Sequence, residues 1–352
     1  MTNPLEAYLK DILVDGNTLF IDNSRLESFT HCPRKGQYTI LQKRIPTTDK
    51  AALTFGKHIH TALEYRYRFF GTGQLTHLQQ KKLLSIFEEL YSITPVPEDD
   101  HRQCSFAQLV MDTYLRTHPS EKFSIIDIGG KPVIEQSFAC EIGTINGIKI
   151  IWTGRMDLGI ELDKRLVVLD HKTTSMGGEG YFSEFYTSNA LKGYAFALGQ
   201  ISGRPCNTAI INALICRKAT TSGKGKGMEM LRSNLITFEN DTLLEWRESV
   251  LAIIEDFFAN IDRGFFPMHT KHCVGKFGRC DMFDVCTLPP SSRYAMLNSS
   301  LYTVDKWNPL HANELDLAEF HSRSFNPDQH NFPSPTKPKA TTTSYDITDL
   351  LS

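Results

Sequence analysis

The sequence predicts a mixed α/β fold, in which a central sheet is flanked by helices. The first observation is the order of the periodic segments in the middle of the chain, which reads strand, strand, strand, helix, strand, strand, helix. The second is that apolar residues recur with helical spacing at both ends of this block. Strands enclosed by helices in this way indicate layers of helix packed on a sheet.

The N-terminal region, residues 1–120, is predicted to be mainly helical. Ser24 is expected to cap a short helix that Pro33 follows closely. A turn rich in proline and acidic residues (TPVPEDD) separates the last two helices of the region. The segments with helical spacing are 54–70, 76–93 and 102–117.

Residues 121–263 form the predicted α/β core. Alternating apolar residues mark its strands, and Asn146-Gly147 is a hairpin signal between the first two of them. A helix precedes the fourth strand, and a long amphipathic helix closes the core. The strands are predicted at 132–142, 148–162, 165–170, 207–217 and 231–238, and the helices at 183–200 and 240–263.

Two further regions follow the core. Residues 264–290 are a cysteine-rich segment, and residues 291–352 form a C-terminal extension. Beyond about residue 321 the extension is rich in Pro, Ser, Thr and Asn, so disorder is expected there.

Composition excludes several classes of protein. The chain of 352 residues is 41% hydrophobic and 22% charged, unlike a disordered or collagen-like chain. Lys and Arg total 38 against 40 Asp and Glu, a net charge of −2, so nucleic acid would have to be bound by local basic patches. No apolar run is long enough to span a membrane, and the first residues do not resemble a signal peptide. We therefore expect a cytoplasmic protein whose eight cysteines are buried thiols or metal ligands.

Two carboxylates and a lysine form the most informative pattern. Asp157 ends the text G-R-M-D, and Asp170 ends the next strand, so antiparallel pairing would bring both carboxylates together. Repulsion between them would be relieved by a divalent cation such as Mg²⁺ or Mn²⁺. Lys172 points to the same face as Asp170, and Glu135 could supply another ligand or orient a water molecule. The alternative is an Asp and a Lys on the surface at strand ends.

These motifs resemble the RecB-like branch of the PD-(D/E)XK nucleases, which includes CRISPR-associated and phage-encoded exonucleases. G-R-M-D followed by L-D-H-K-T resembles its catalytic strands. S-R-L-E-S-F-T-H-C-P-R-K and L-T-F-G-K-H-I-H resemble its upstream elements, and all occur in the order of that branch across residues 24–287. The resemblance implies a restriction-endonuclease-like core and a metal-dependent DNA nuclease. It favours an exonuclease acting on single-stranded DNA or duplex ends in recombination, repair or replication, within the host cytoplasm if phage-encoded.

The resemblance also implies a metal site and a helper tyrosine. His60 would bind Mg²⁺ or Mn²⁺ with Asp157, Asp170 and the backbone carbonyl of His171. Without the resemblance, a helical histidine is more often packed or solvated. Tyr194 matches the tyrosine that follows the catalytic strand in this branch, although Ala190 replaces the expected glutamine. A core aromatic is the alternative for Tyr194.

Four cysteines are candidate cofactor ligands: Cys32 upstream, with Cys273, Cys280 and Cys286 clustered downstream. This arrangement resembles RecB-like nucleases that carry a 4Fe–4S cluster, for which four thiolates are suitable ligands. Zinc is the alternative, since it also accepts four thiolates or a Cys/His set, and free thiols are a third possibility. The imidazoles that would make a mixed zinc set possible are those of His31, His269 and His272.

Rival functions stay open at this level. One is a non-catalytic iron–sulfur module that holds DNA for a helicase or recombinase partner. Another is a zinc-stabilised interaction protein in which the D-x-K triplet is coincidental. The Gly-rich basic loop at 217–232 could follow a phosphate backbone or be a solvated hairpin tip. No membrane partner is expected.

Overall fold

The computed structural model describes residues 4–48, 50–178, 180–217, 228–275, 278–308, 315–330 and 332. No helix among these residues is long and apolar enough to cross a lipid bilayer. The helices are α1 (Pro4–Ile12), α2 (Asn23–His31), α3 (Pro33–Gly36), α4 (Ala51–Phe70), α5 (His77–Ile93), α6 (Cys104–Thr117), α7 (Asn189–Ser202), α8 (Asn240–Asp262), α9 (Phe283–Thr287), α10 (Pro290–Leu297) and α11 (Leu317–Ser322).

A mixed eight-stranded sheet forms the centre, as the sequence predicts. The predicted hairpin is confirmed: the strands on either side of Asn146-Gly147 pair antiparallel, and both turn residues have positive φ angles of 50° and 80°. The strands are β1 (Thr18–Ile21), β2 (Arg44–Pro46), β3 (Ser124–Ile125), β4 (Asp127–Ile128), β5 (Lys131–Pro132), β6 (Ile134–Ile145), β7 (Ile148–Leu162), β8 (Arg165–Thr174), β9 (Cys206–Ile215), β10 (Glu229–Arg232), β11 (Ile236–Thr237), β12 (Val274–Gly275), β13 (Gly278–Arg279) and β14 (Tyr302–Val304).

Strand β7 is the organising element of this sheet. It pairs with β6 from Ile148 to Leu158 and with β1 near its start, and its last residues pair with β3 and β8. The ladder between β7 and β8 stops at the pair Leu158–Leu169, while β8 continues as a parallel partner of β9. The two strands therefore separate at a fork, and the first residues beyond the last pair are Asp157 and Asp170.

Helices cover the sheet on both faces. On one face α4, α5 and α6 pack against Leu158, Ile160 and Leu169. On the other face α7 and α8 enclose Trp152, which is fully buried and meets Trp246 edge to face at 5.3 Å. Burial of this apolar surface on both sides is the main favourable contribution to folding and holds the fork rigidly.

Three sequence-based expectations differ from the structure. The residue that caps α2 is Asp22, whose carboxylate accepts from the backbone of Arg25, rather than Ser24. The strand expected at 231–238 is divided into β10 and β11, which pair with different parts of β9. The third is the disorder expected beyond about residue 321. The structure differs from this expectation as far as residue 330, because side chains on α5 contact the segment. Those side chains are Lys82, which donates to two of its carbonyls, and Glu88, which contacts His330 at 2.7 Å.

Candidate active site

Helix α4 directs His60 toward two acidic side chains at the fork. The Nδ1 atom of His60 lies 3.2 Å from Glu135 Oε1 and 3.3 Å from Asp157 Oδ1. Possible ligand atoms of these three residues all lie within 4.8 Å of one another. The structure therefore brings His60 and Asp157 together as expected, with Glu135 as the third member of the group.

The two acids reach α4 because strand alternation breaks at both positions. On β7, Met156 packs on the α7 face, but both Asp157 and Leu158 face α4. On β6 the same happens at Ile134 and Glu135, and Glu135 adopts a positive φ of 44°. Strict period-two alternation would not place neighbouring residues on one face. A non-glycine residue with positive φ next to a cluster of polar groups is typical of a functional site.

Asp157 also closes the fork between the strands. Its Oδ2 atom accepts a hydrogen bond of 2.6 Å from the backbone N–H of His171, which lies beyond the last β7–β8 pair. The His171 ring is held from behind by Asn212, whose amide lies 2.8 Å from Nδ1, and it stacks on Tyr67. The backbone of His171, whose carbonyl is a predicted ligand, is thus fixed on two sides.

Asp170 and Lys172 form a pair beside this group. Lys172 Nζ lies 2.7 Å from Asp170 Oδ2, and the Asp170 side chain is 3% exposed. Asp170 lies outside the group of three, so the structure joins this predicted ligand to Lys172 more closely than to His60. Tyr194 of α7 contributes to the electrostatic environment of Lys172, and its ring packs edge to face against Phe138 at 5.8 Å.

Neighbouring charges in the cleft shift one another's pKa values. Burial acts to lower the pKa of His60, but the carboxylates of Asp157 and Glu135 outweigh it and raise the pKa well above its usual value. Burial acts to raise the pKa of Asp157, but His60 outweighs it, so the pKa lies below the usual value. Burial and the nearby charge of Asp157 raise the pKa of both Glu135 and Asp170. Burial acts to lower the pKa of Lys172, but Asp170 raises it above the usual value.

These donors fit a hard divalent cation. Two carboxylates and one imidazole converge at this point. Cationic side chains balance the buried negative charge of the carboxylates, and a bound metal ion could balance the same charge. Oxygen ligands suit Mg²⁺ and Mn²⁺, and the imidazole favours Mn²⁺ somewhat. The cleft around the group has a volume of about 570 Å³, and its walls include Leu53, Lys57 and Thr173.

The sequence-based reasoning assigned no role to Arg155. Its guanidinium lies 2.7 Å from Glu135 Oε2 and 3.3 Å from Glu64 Oε2. Arg155 stands two residues before Asp157 in G-R-M-D, and residues two apart on a strand share a face. This spacing could have predicted that Arg155 lies on the same side of the sheet as Asp157.

The four candidate cysteines line a second pocket of about 320 Å³. None forms a disulfide. Burial raises the pKa of the Cys286 thiol to about 11, and the neighbouring Cys32 adds to the rise. The backbone N–H of His269 donates to Cys32 Sγ at 3.4 Å, and His31 stacks on His272 at 5.3 Å. The chain thus brings its N-terminal and C-terminal cysteines to one pocket, with all three histidines on its walls.

Comparison with known proteins agrees with this architecture. The sequence model of the PD-(D/E)XK nuclease superfamily matches residues 23–287, more than half of the chain. The chain belongs to the PD-(D/E)XK nuclease superfamily. No curated protein matches it. Among solved structures, it is similar to one titled "Crystal structure of SSO0001", with 13% identity over 71% of this chain and 84% of that chain and a TM-score of 0.27.

Membership of the superfamily gives the cleft a chemical context. PD-(D/E)XK nucleases are nucleic-acid hydrolases that usually use Mg²⁺ or Mn²⁺, and the group His60, Glu135 and Asp157 offers ligands for such an ion. The basic loop proposed from the sequence lies largely outside the described residues, which omit 218–227. Arg217 and Arg232 at its ends are paired with Glu229 and Glu121.

Proposed function

We propose that this protein is a metal-dependent deoxyribonuclease that removes nucleotides from single-stranded DNA or duplex ends during recombination, repair or replication. The observation that supports the proposal best is the convergence of His60, Glu135 and Asp157 beside the Asp170–Lys172 pair at the fork. The group of His60, Glu135 and Asp157 supplies ligands for a divalent ion. Lys172 supplies a cation that stabilises the negative charge developing on the phosphate.

Each residue of the cleft has a distinct task in this proposal. A Mg²⁺ or Mn²⁺ ion held by His60, Glu135 and Asp157 would act as a Lewis acid and lower the pKa of a bound water molecule. Asp157 also anchors the His171 amide, which orients the carbonyl of that residue. Lys172, kept cationic by Asp170, stabilises charge on the scissile phosphate, and Tyr194 contributes to the electrostatic environment of that lysine.

The direct test is degradation of single-stranded DNA labelled at the 5′ or the 3′ end, with Mg²⁺ or Mn²⁺. Wild type should release label only when metal is present, and Asp157→Asn should be inactive while still folded by circular dichroism. The order in which the two labels are lost gives the polarity of an exonuclease. DNA binding by folded wild type without any cleavage would contradict the nuclease proposal and favour a non-catalytic module.

We also propose a structural 4Fe–4S cluster held by Cys32, Cys273, Cys280 and Cys286. All four cysteines line one pocket, although Cys32 lies about 240 residues before the other three. Four thiolates are the usual protein ligands of such a cluster.

Anaerobic purification followed by metal analysis tests the cluster. A brown protein with about four irons per chain is expected, with the colour lost in Cys286→Ser. Cys104→Ser on α6 is the control, since Cys104 is outside the pocket and should leave the iron content unchanged. A colourless wild type with one zinc per chain would contradict the cluster.

A further inference from the structure

Arg155 joins two carboxylates that are almost fully enclosed. From β7 its Nε atom lies 2.7 Å from Oε2 of Glu135 on β6, and its Nη2 atom lies 3.3 Å from Oε2 of Glu64 on α4. Both glutamate side chains are 7% exposed, whereas that of Arg155 is 26% exposed. One planar guanidinium therefore links the three elements that carry the candidate metal ligands.

Glu64 is fixed from its other side as well. Arg68, one turn later on α4, contacts Glu64 Oε1 at 2.7 Å. The same arginine donates a hydrogen bond of 3.2 Å to the carbonyl of Ile134, the residue before Glu135. Both oxygens of Glu64 are thus occupied by arginines, and the backbone next to Glu135 is tied to the same helix.

Glu135 is the residue that most needs such support. Its backbone φ of 44° is one that a non-glycine residue seldom holds without compensating contacts. The two carboxylate oxygens divide their partners, with Oε1 near His60 and Oε2 near Arg155. An arginine that occupies Oε2 leaves Oε1 as the oxygen presented to the cleft.

We propose that Arg155 is a positioning residue that holds Glu135 for metal binding and that Glu64 anchors Arg155. This inference rests on the proposed metal site at His60, Glu135 and Asp157. Residues that hold a metal ligand in place typically contribute 10- to 100-fold to metal affinity. If Arg155 served only as a counter-charge, its removal would have the opposite effect on metal affinity. Removing a cation beside the site would strengthen the binding of a divalent cation.

Electron paramagnetic resonance of free Mn²⁺, without DNA, measures this affinity directly. Arg155→Gln is expected to bind Mn²⁺ about 10- to 100-fold more weakly than wild type. Arg155→Lys, which keeps the charge and loses the fork of donors, should recover part of the loss. Arg116→Gln removes an arginine that pairs with Asp112 on α6, away from the cleft, and should bind as wild type does.

A double-mutant cycle tests the relay through Glu64. Glu64→Gln also removes a negative charge, which by itself changes Mn²⁺ affinity. The single variant therefore cannot show whether Glu64 acts through Arg155, whereas the double-mutant cycle can. If Glu64 acts through Arg155, the double variant should bind Mn²⁺ no more weakly than the weaker single variant. Additive losses would overturn the relay.

The outcomes separate this inference from the proposed function. Wild type that binds Mn²⁺, together with Asp157→Asn that does not, supports the metal site on its own. Unchanged or tighter binding by folded Arg155→Gln would then overturn the positioning role alone. Failure of the wild-type protein to bind Mn²⁺ would overturn both proposals.

Discussion

The candidate active-site cleft and the cysteine pocket hold their candidate ligands by different means. In the cleft, the ligands extend from a sheet and a 20-residue helix, and each buried carboxylate has a cationic partner within 3.3 Å. The cysteine pocket lies beside a smaller hydrophobic cluster. Its segment packs on a small separate cluster of buried side chains: Tyr38, Met282, Val285, Leu297 and Tyr302.

This difference indicates which site depends on its metal for shape. The cleft is assembled by packing on both faces of the sheet, so its geometry should persist without a bound ion. The proposed cluster instead links Cys32 to a segment about 240 residues later, and closing so long a loop restricts the unfolded chain. Removing the metal should therefore abolish chemistry at one site and local structure at the other.

Outside the proposed metal site, the largest expected effect is at Lys172. Lys172→Ala should lower the rate of DNA cleavage by about 10²- to 10³-fold, because it removes a fixed cation beside the scissile phosphate. Initial rates at saturating Mn²⁺ provide the measurement. Lys131→Ala, at an exposed position on β5, is the matched control and should cleave at the wild-type rate. Equal rates in the two variants would remove Lys172 from the catalytic group.

Loss of the proposed cluster should loosen one segment and leave the cleft intact. In Cys286→Ser, trypsin should cut faster at Lys271 and Arg279, because little apolar packing holds that segment without a cluster. Mn²⁺ binding at the cleft should stay within about twofold of wild type. Limited proteolysis followed by mass spectrometry locates the cuts. Unchanged protection of the segment would mean that protein packing alone maintains it.

A buried ion pair behind the cleft offers a purely structural comparison. Glu121, whose side chain is 2% exposed, receives two contacts from Arg232 at 2.6 and 2.8 Å. Arg232→Met should lower the free energy of unfolding by about 3–5 kcal/mol, because it removes the cationic partner of a buried carboxylate. Urea unfolding at pH 7 measures the loss, and a change below about 1 kcal/mol would contradict it.

The same pair should make stability depend on pH. Burial acts to raise the pKa of Glu121, but Arg232 outweighs it, so the pKa lies below its usual value. The folded state therefore gains stability from this group above the unfolded pKa and loses it as pH falls through the folded pKa. The difference between wild type and Arg232→Met should shrink as pH falls below about 4.

The smallest expected effect is at Tyr194. Tyr194→Phe should lower the cleavage rate by less than about tenfold, because the ring and its contact with Phe138 are kept while only the hydroxyl is lost. A pH–rate profile checks that the change does not come from a shifted catalytic group. A loss as large as that of Lys172→Ala would place the hydroxyl among the catalytic groups.

The sequence predicts the hairpin and the core strands β6 to β9, because these follow from local periodicity and turn chemistry, and it places Asp157 and Asp170 on neighbouring strands. It does not predict that Glu135 turns toward α4, since that depends on a backbone inversion which breaks alternation. It also misses the Arg155–Glu64 contact, which joins residues 91 positions apart. The anchoring of 315–330 on α5 likewise depends on contacts about 240 residues apart.

The central claim is that a divalent ion at His60, Glu135 and Asp157 enables DNA cleavage. The most direct measurement is the rate of cleavage of end-labelled single-stranded DNA after chelation and during titration with Mn²⁺, in wild type and Asp157→Asn. Wild type should be inactive after chelation and recover with Mn²⁺, whereas folded Asp157→Asn should stay at least about 10³-fold slower at every metal concentration. Cleavage that survives chelation, or an Asp157→Asn variant as fast as wild type, would contradict the account.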